Sequence, residues 1–271
     1  MVTKKRSSAI AWLVFLLAAG YLVLPLIAML WSSITTTRGA ITFEAYTQVF
    51  ETPEFGYTFL FSIRAALITI FISVVLVVPT AYWVRLRVPR LRPVIEFLTI
   101  VPLVVPALLM AFGLIRFFNN VRILDFSLTD SLQGEIVMVI GAYVILSFPY
   151  MYRAVDAGIQ AVNIRTLTEA AQSLGAGWAT ILLRVIFPNL WVAVLSGSFI
   201  TFSIVLGEFT IASLLLPQGT AFTPYMLALS QRQADQATAL GIISFGLTWG
   251  SILVIQILGR GRGGLIVGRA V

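Results

Sequence analysis

From Ala9 to Trp31 the chain runs 23 residues without a charge, directly after Lys4, Lys5 and Arg6. As an α-helix this run is about 34 Å long, enough to cross a hydrocarbon core about 30 Å thick. In lipid every backbone amide must find its partner inside the protein, so a helix is the form such a run must take. The run is too long for the apolar region of a cleaved signal peptide, and no small-residue cleavage site follows it. A retained first span is expected, with a kink at Pro25.

Five further apolar runs cover about 60–84, 94–118, 134–152, 191–216 and 237–258. The third carries Pro102 and Pro106, which would kink it and help it line a cavity. Between the first two runs, Phe43, Tyr46, Val49 and Phe50 share one side of a short interfacial helix. The polar stretches include Asp125 and Asp130 at 119–133 and a long connection at 153–190. The expectation is an all-α integral membrane protein, one domain over 1–271, with six transmembrane helices. Six crossings put both termini on one side. Of the 18 Lys and Arg residues, 13 fall on that side, among them Arg85, Arg87, Arg90, Arg92, Arg153, Arg165, Arg184, Arg260, Arg262 and Arg269. The other side has Arg38, Arg64, Arg116, Arg122 and Arg232. That bias places the termini and the 153–190 connection in the cytoplasm.

Composition removes whole classes of chemistry. Only 11% of residues are charged, against about 25% in soluble domains. Cys and His are absent, which leaves no thiol nucleophile, thiolate metal site or imidazole acid–base group. No carboxylates cluster at ligand spacing, so no metal is expected. The only lysines are Lys4 and Lys5, so no phosphate-binding loop of the form G-x-x-x-x-G-K-[ST] can exist. The net charge of +7 reflects arginines at the ends of apolar runs and implies no nucleic-acid partner. Met and aromatic stripes in the spans are expected to meet lipid or neighbouring helices. Gly246 and Gly250 form a G-x-x-x-G that would allow close helix approach.

The stretch from Asn163 to Leu190 is unlike its surroundings. Thr166 and Glu169 have the spacing of a capping box. Leu167, Ala170, Ala171, Leu174 and Trp178 recur on one helical side, and Gly175 can end the helix in the left-handed region. Pro188 is expected to start a new segment. A short helix of small residues displayed between spans is suited to docking into another protein, and equally to serving as a solvated connector.

This stretch resembles the EAA loop of the permease subunits of binding-protein-dependent ABC importers. The matches are Glu169, Ala170, Ala171 and Gly175, then Val185, Phe187 and Pro188; Val185 stands where Ile is usual and Phe187 where Leu is usual. A weaker likeness extends from about Phe43 to Arg260. The resemblance implies a type I ABC importer permease fold in the bacterial cytoplasmic (inner) membrane. It also implies partners: two cytoplasmic ATP-binding subunits, a second permease subunit and an extracytoplasmic solute-binding protein. ATP and Mg would sit in the ATPase partner, and this chain would bind no cofactor and be no enzyme. Thr166, Glu169, Ala170, Ala171, Leu174 and Gly175 would form the ATPase-coupling surface, with Glu169 pairing a basic group there. The alternative class, a membrane-embedded enzyme, would need a polar cluster at membrane depth, and Glu208 is the one acidic residue deep inside a span.

Glu208 sits where helical spacing puts Gly197, Thr201, Val205 and Ala212 on its face, a small and partly polar strip suited to a cavity wall. Two roles stay open for it: a lock on the outer gate, bonded to Arg64, Arg116 or backbone amides, or a contact for a cationic solute. The segment Gly207-Glu208-Phe209-Thr210 looks like one in permeases for polyamines, iron(III), thiamine, phosphonates and oxyanions. Residues 41–46, the Pro102/Pro106 span and 237–260 are most similar to the spermidine/putrescine group, which makes a polyamine or similar small cation the expected solute.

Overall fold

The computed structural model describes residues 3–35, 40–120, 129 and 131–267. Arg38, Arg122, Arg269, Asp125 and Asp130, used above, lie outside the described residues. The elements in order are α1 (Thr3–Ile34), α2 (Glu44–Glu51), α3 (Pro53–Leu86), a 3-10 turn (Pro89–Leu91), α4 (Arg92–Val104), α5 (Ala107–Asn120), α6 (Leu132–Ala161) and α7 (Ile164–Ser173). Then come α8 (Trp178–Thr180), a π-helical segment (Ile181–Ile186), α9 (Phe187–Gly207), α10 (Thr210–Leu215), α11 (Phe222–Ser230) and α12 (Ala234–Val267). Among the described residues the sole β pairing is an isolated bridge between Thr35 and Ile41.

Four helical stretches are long and apolar enough to cross a membrane: Ile10–Ile34, Pro53–Leu86, Leu132–Ala161 and the continuous Trp178–Gly207. The pair α4–α5 makes a fifth if its two halves count as one span. The predicted run 237–258 lies inside α12 and is helical throughout.

Three boundaries differ from the sequence expectation, each for a local reason. The third run is two helices bent by 99°. Val105 precedes Pro106 and is extended (φ −80°, ψ 118°), the conformation that the clash with a following proline ring favours. Pro102, by contrast, stays inside α4. Second, α6 continues to Ala161 and helix resumes at Trp178, so the connection predicted at 153–190 shortens to a compact corner around α7. Pro188 does not start a new segment there. It cannot donate to the carbonyl of Arg184, and the π segment just before it absorbs the mismatch, with the Phe187 amide reaching back five residues to the Leu182 carbonyl. Third, the fifth run stops being helix at Gly207, and Glu208 is extended (ψ 123°).

By packing the chain divides into two units, Met1–Phe55 with Met226–Leu247 and Gly56–Tyr225 with Thr248–Val271. In the first unit α2 buries Ala45 and Val49, the latter one of the four residues expected on one side, while Phe43 and Phe50 stay exposed. Tyr46 instead bonds by its hydroxyl to Ser33 Oγ at 2.8 Å.

The second unit holds two apolar clusters. One joins the end of α3 (Val77, Val78, Ala81, Tyr82) to the end of α6 (Met151, Val155, Ile159), to α7 and to the start of α9 (Leu190, Val194). The other joins the start of α3 (Ala65, Ala66) and of α6 (Met138, Val139, Ala142) to the end of α9 (Val205) and to α10 (Ile211, Ala212, Leu215). Between them α6 and α9 meet through small residues. A Cβ on Gly158 would lie 2.5 Å from the Ala193 Cβ, and one on Gly197 would lie 2.8 Å from Met151 Sδ and 3.2 Å from the Ala154 Cβ. Ala154/Gly158 and Ala193/Gly197 are thus facing small-x-x-x-small pairs, the sequence device for close helix approach in lipid. Gly246 and Gly250 are not such a seam: nothing among the described residues approaches a Cβ there within 4 Å.

Candidate functional site

The corner between α6 and α8 is built to present α7. Asn163 is the N-cap, its Oδ1 accepting from the Thr166 amide at 3.3 Å. The capping box expected of Thr166 and Glu169 is therefore absent: Thr166 lies in the first turn as donor, and Glu169 Oε1 takes the Arg165 Nε at 3.0 Å. Both partners of that ion pair are largely exposed, so it adds little stability and exchanges readily.

The C-terminus follows the expectation for Gly175. Its φ is +77°, a conformation that glycine adopts without steric cost. Its amide donates to the Gln172 carbonyl (2.9 Å), and the Ala176 amide donates to the Ala171 carbonyl (3.0 Å). Those two bonds define a Schellman motif.

With both ends fixed, α7 has two distinct sides. Ile164, Thr168 and Ala171 are buried and Leu167 packs against the same cluster. Thr168 Oγ1 lies 3.2 Å from the Tyr82 hydroxyl at the end of α3. The opposite side, Thr166, Glu169, Ala170, Ser173 and Leu174, is exposed, and Leu174 is 88% exposed. Five of the six predicted coupling residues lie on or at the end of that exposed side: Thr166, Glu169, Ala170, Leu174 and Gly175. Ala171 does not; it seats the helix. Beyond the turn, the Trp178 ring meets Trp83 of α3 at 5.6 Å, which pins the outgoing helix to the same α3 end.

A second polar element lies at the far end of α9. Glu208 follows the helix and caps the next one: Oε1 accepts from the Ile211 amide at 2.8 Å and Oε2 from the Ala212 amide at 3.0 Å. Tyr143 on α6 is buried in the same cluster as Ile211 and Ala212. Of the partners expected for Glu208, the structure supplies the backbone amides; among the described residues it forms no ion pair with Arg64 or Arg116. Thr223 Oγ1 donates to the Leu206 carbonyl at 2.6 Å, and the Phe222 amide donates to Ser62 Oγ at 3.0 Å. Side chains thus satisfy backbone groups freed by the break in helix.

The strip expected beside Glu208 divides at that break. Gly197, Thr201 and Val205 are buried, and Gly197 packs on Met151 and Ala154 of α6, so this strip is a helix contact within the chain and not an open cavity wall. The Thr201 hydroxyl, fully buried, has no hydrogen-bond partner among the described residues. Ala212 lies on α10, buried in the cluster around Tyr143.

The sequence reading missed the ion-pair group that ties α4 to α6. Arg92 meets Glu96 at 2.7 Å and Asp156 at 3.2 Å, and Gln160 donates to Asp156 at 2.6 Å. The i,i+4 spacings Arg92/Glu96 and Asp156/Gln160 were the available signal; the pairing across helices had none.

This is the fold of an ABC transporter permease. The chain superposes on one in the crystal structure of a bacterial ABC transporter involved in the import of the acidic polysaccharide alginate, with a TM-score of 0.70 at 17% identity, covering 94% of this chain and 96% of that one. A second structure, the alginate transporter in complex with a pentasaccharide-bound periplasmic protein, gives 0.66 at 18% identity over 94% and 95%. The chain belongs to the family of binding-protein-dependent transport system inner membrane components, which it matches over residues 73–261. It is accordingly a multi-pass permease of the bacterial inner membrane. Relatives include a probable molybdenum ABC transporter permease protein of Haloferax volcanii, 29% identical over 203 residues and 73% of each chain. The spermidine/putrescine transport system permease protein PotB of Haemophilus influenzae is 28% identical over 220 residues, 76% of this chain and 74% of that one.

Proposed function

We propose that this permease crosses the membrane six times, with both termini and α7 in the cytoplasm. It works with a second permease subunit, identical or related, two ATP-binding subunits and an extracytoplasmic solute-binding protein. ATP and Mg belong to the ATP-binding subunits. The two-sided α7 carries this reading. Its inner side is continuous with the core that joins α3, α6 and α9, and its outer side offers an exposed leucine beside a carboxylate held only by a surface ion pair. Closure of the ATPase dimer moves α7 as a rigid piece, and the helices packed behind it follow, which gates the solute path between inward- and outward-facing states.

The test is Glu169→Lys in the assembled transporter. It reverses the charge offered to the ATPase while leaving the Asn163 cap and the Gly175 turn intact. The protein is expected in the membrane at normal level, hydrolysing ATP without transport. Normal transport would refute the coupling role.

The solute is a polyamine or a similar small cation in this reading, supported by the PotB relative. A second reading, an oxyanion such as molybdate, has support of the same strength from the molybdenum permease relative; iron(III), thiamine and aminoalkylphosphonate are further alternatives. Both oxygens of Glu208 already accept amide protons, which favours the gate-lock role over solute attraction for that residue. Identifying the ligand retained by the cognate binding protein decides among these solutes.

A further inference from the structure

The helices α3, α4 and α6 enclose an open cleft of about 410 Å³, lined among others by Leu76, Thr80, Leu98, Pro102, Ile145 and Tyr152. Its two threonine hydroxyls are turned to the chain's own backbone: Thr80 Oγ1 donates to the Leu76 carbonyl at 2.6 Å, and Thr99 Oγ1 to the Glu96 carbonyl at 2.8 Å. Apart from the Tyr152 phenol, the wall presents hydrocarbon.

One end of the cleft is of opposite character. Thr80 on its wall is five residues before Arg85, and Ile95, also on its wall, is three after Arg92. The segment between them, tightened by the 3-10 turn at Pro89–Leu91, carries Arg85, Arg87, Arg90 and Arg92. Arg92 is occupied by Glu96 and Asp156. The other three form no ion pair among the described residues. Arg87 and Arg90 are exposed and Arg85 is half-buried. An apolar trough ending at three uncompensated guanidinium groups complements a molecule with a hydrocarbon tail and an anionic head.

We propose that this cleft binds an anionic phospholipid of the cytoplasmic leaflet, with one acyl chain along α4 and the phosphate among Arg85, Arg87 and Arg90. The leaflet follows from the orientation proposed above; the site itself does not depend on it. A transmembrane helix of a partner would fill the trough but would make no use of the three arginines, which a lipid phosphate would pair.

The test uses the intact transporter, delipidated in detergent and examined by native mass spectrometry with phosphatidylglycerol or phosphatidylcholine of identical chains. Phosphatidylglycerol is expected to be retained preferentially. The triple variant R85Q/R87Q/R90Q should weaken that retention about 100-fold, taking roughly fivefold per arginine near the surface. Leu98→Trp should lower retention of both lipids by filling the trough; Leu98 is 55% exposed, so the larger side chain does not enter a packed core. Equal retention of the two lipids by the unaltered protein would overturn the proposal, as would a phosphatidylglycerol preference that survives the triple variant. So would cross-linking of a Leu98→Cys complex to another protein chain at that position. A Ser173→Cys variant labelled from outside would reverse the orientation and the leaflet, leaving the lipid measurements to judge the site.

Discussion

Gly158→Ala tests how α6 and α9 meet. The added carbon would lie 2.5 Å from the Ala193 Cβ and 3.3 Å from Leu190 Cδ2, where unbonded carbons rest about 3.5–4.0 Å apart. The leucine tip can turn away, but the Ala193 Cβ is fixed to the backbone of α9, so the helices must part by about 1 Å. Overpacking of this kind costs about 1–3 kcal/mol. Replacing Gly by Ala inside a helix returns up to about 1 kcal/mol of propensity, which leaves a net loss of about 0–2 kcal/mol for the single variant. The informative quantity is therefore the coupling with Ala193→Gly, which removes the opposing carbon. Propensity effects appear in the single and double variants alike and cancel in the cycle, so the coupling reports the clash, about 1–3 kcal/mol. Unfolding of the four proteins in detergent, followed by denaturant titration, measures it. Additive effects within about 0.5 kcal/mol would refute the close approach at Gly158.

Gly175→Val should strain the left-handed turn by about 1–2 kcal/mol and uncouple ATP hydrolysis from transport with the protein still in the membrane; transport at the unaltered rate would count against the rigid turn. Asn163→Ala should destabilise α7 by about 1 kcal/mol and Thr166→Ala far less, the reverse of what a Thr166 cap would give, as measured by amide exchange across residues 164–173. In a chain with no native cysteine, Ser173→Cys should label only from the cytoplasm and Thr129→Cys only from outside; the opposite pattern would invert the topology. Glu208→Gln leaves one carbonyl oxygen where two carboxylate oxygens now accept the Ile211 and Ala212 amides. Basal ATPase activity should therefore change without solute, whereas unchanged ATPase and transport kinetics would remove Glu208 from both gate and path.

The apolar runs were legible because a charge-free stretch of membrane length admits few structures. Their ends were less so. Nothing in composition separates residues 153–161, which extend α6, from the polar corner that follows. Pro188 reads as a helix start by the ordinary rule, and the π segment that carries the helix through it has no sequence mark. Gly175 was read correctly because one residue type dominates that backbone conformation. The Thr166 cap was misplaced because Asn163 competes for the same turn, and hydrogen-bond geometry alone separates two cap-forming residues three apart. Glu208 stood out by its cost in lipid; of the partners open to it, Arg64, Arg116 or backbone amides, the sequence could not choose, and the amides of Ile211 and Ala212 are the ones it meets. The glycine pair that mattered was not the G-x-x-x-G but Gly158 and Gly197, each spaced four residues from an alanine; which small residue meets which helix is a tertiary fact.

Distance is what the α6–α9 contact resolves. The stretch Trp178–Gly207 has 30 residues, as does α6, so each runs about 45 Å. At one end both contribute to the cluster that seats α7; at the other both contribute to the cluster around Glu208 and Tyr143. A pair of helices locked by small residues along its length tilts as one body. A tilt of about 5° displaces the far end by about 4 Å, more than a hydrogen bond at Glu208 can follow without breaking. On the coupling reading proposed above, the cap on α10 is the expected point of yield: its two amide bonds would hold in one tilt and be released in the other. On this account the strength of the α6–α9 lock sets how much of the movement at α7 arrives at Glu208. Gly158→Ala should therefore weaken coupling as well as stability, and Ala193→Gly should restore both together.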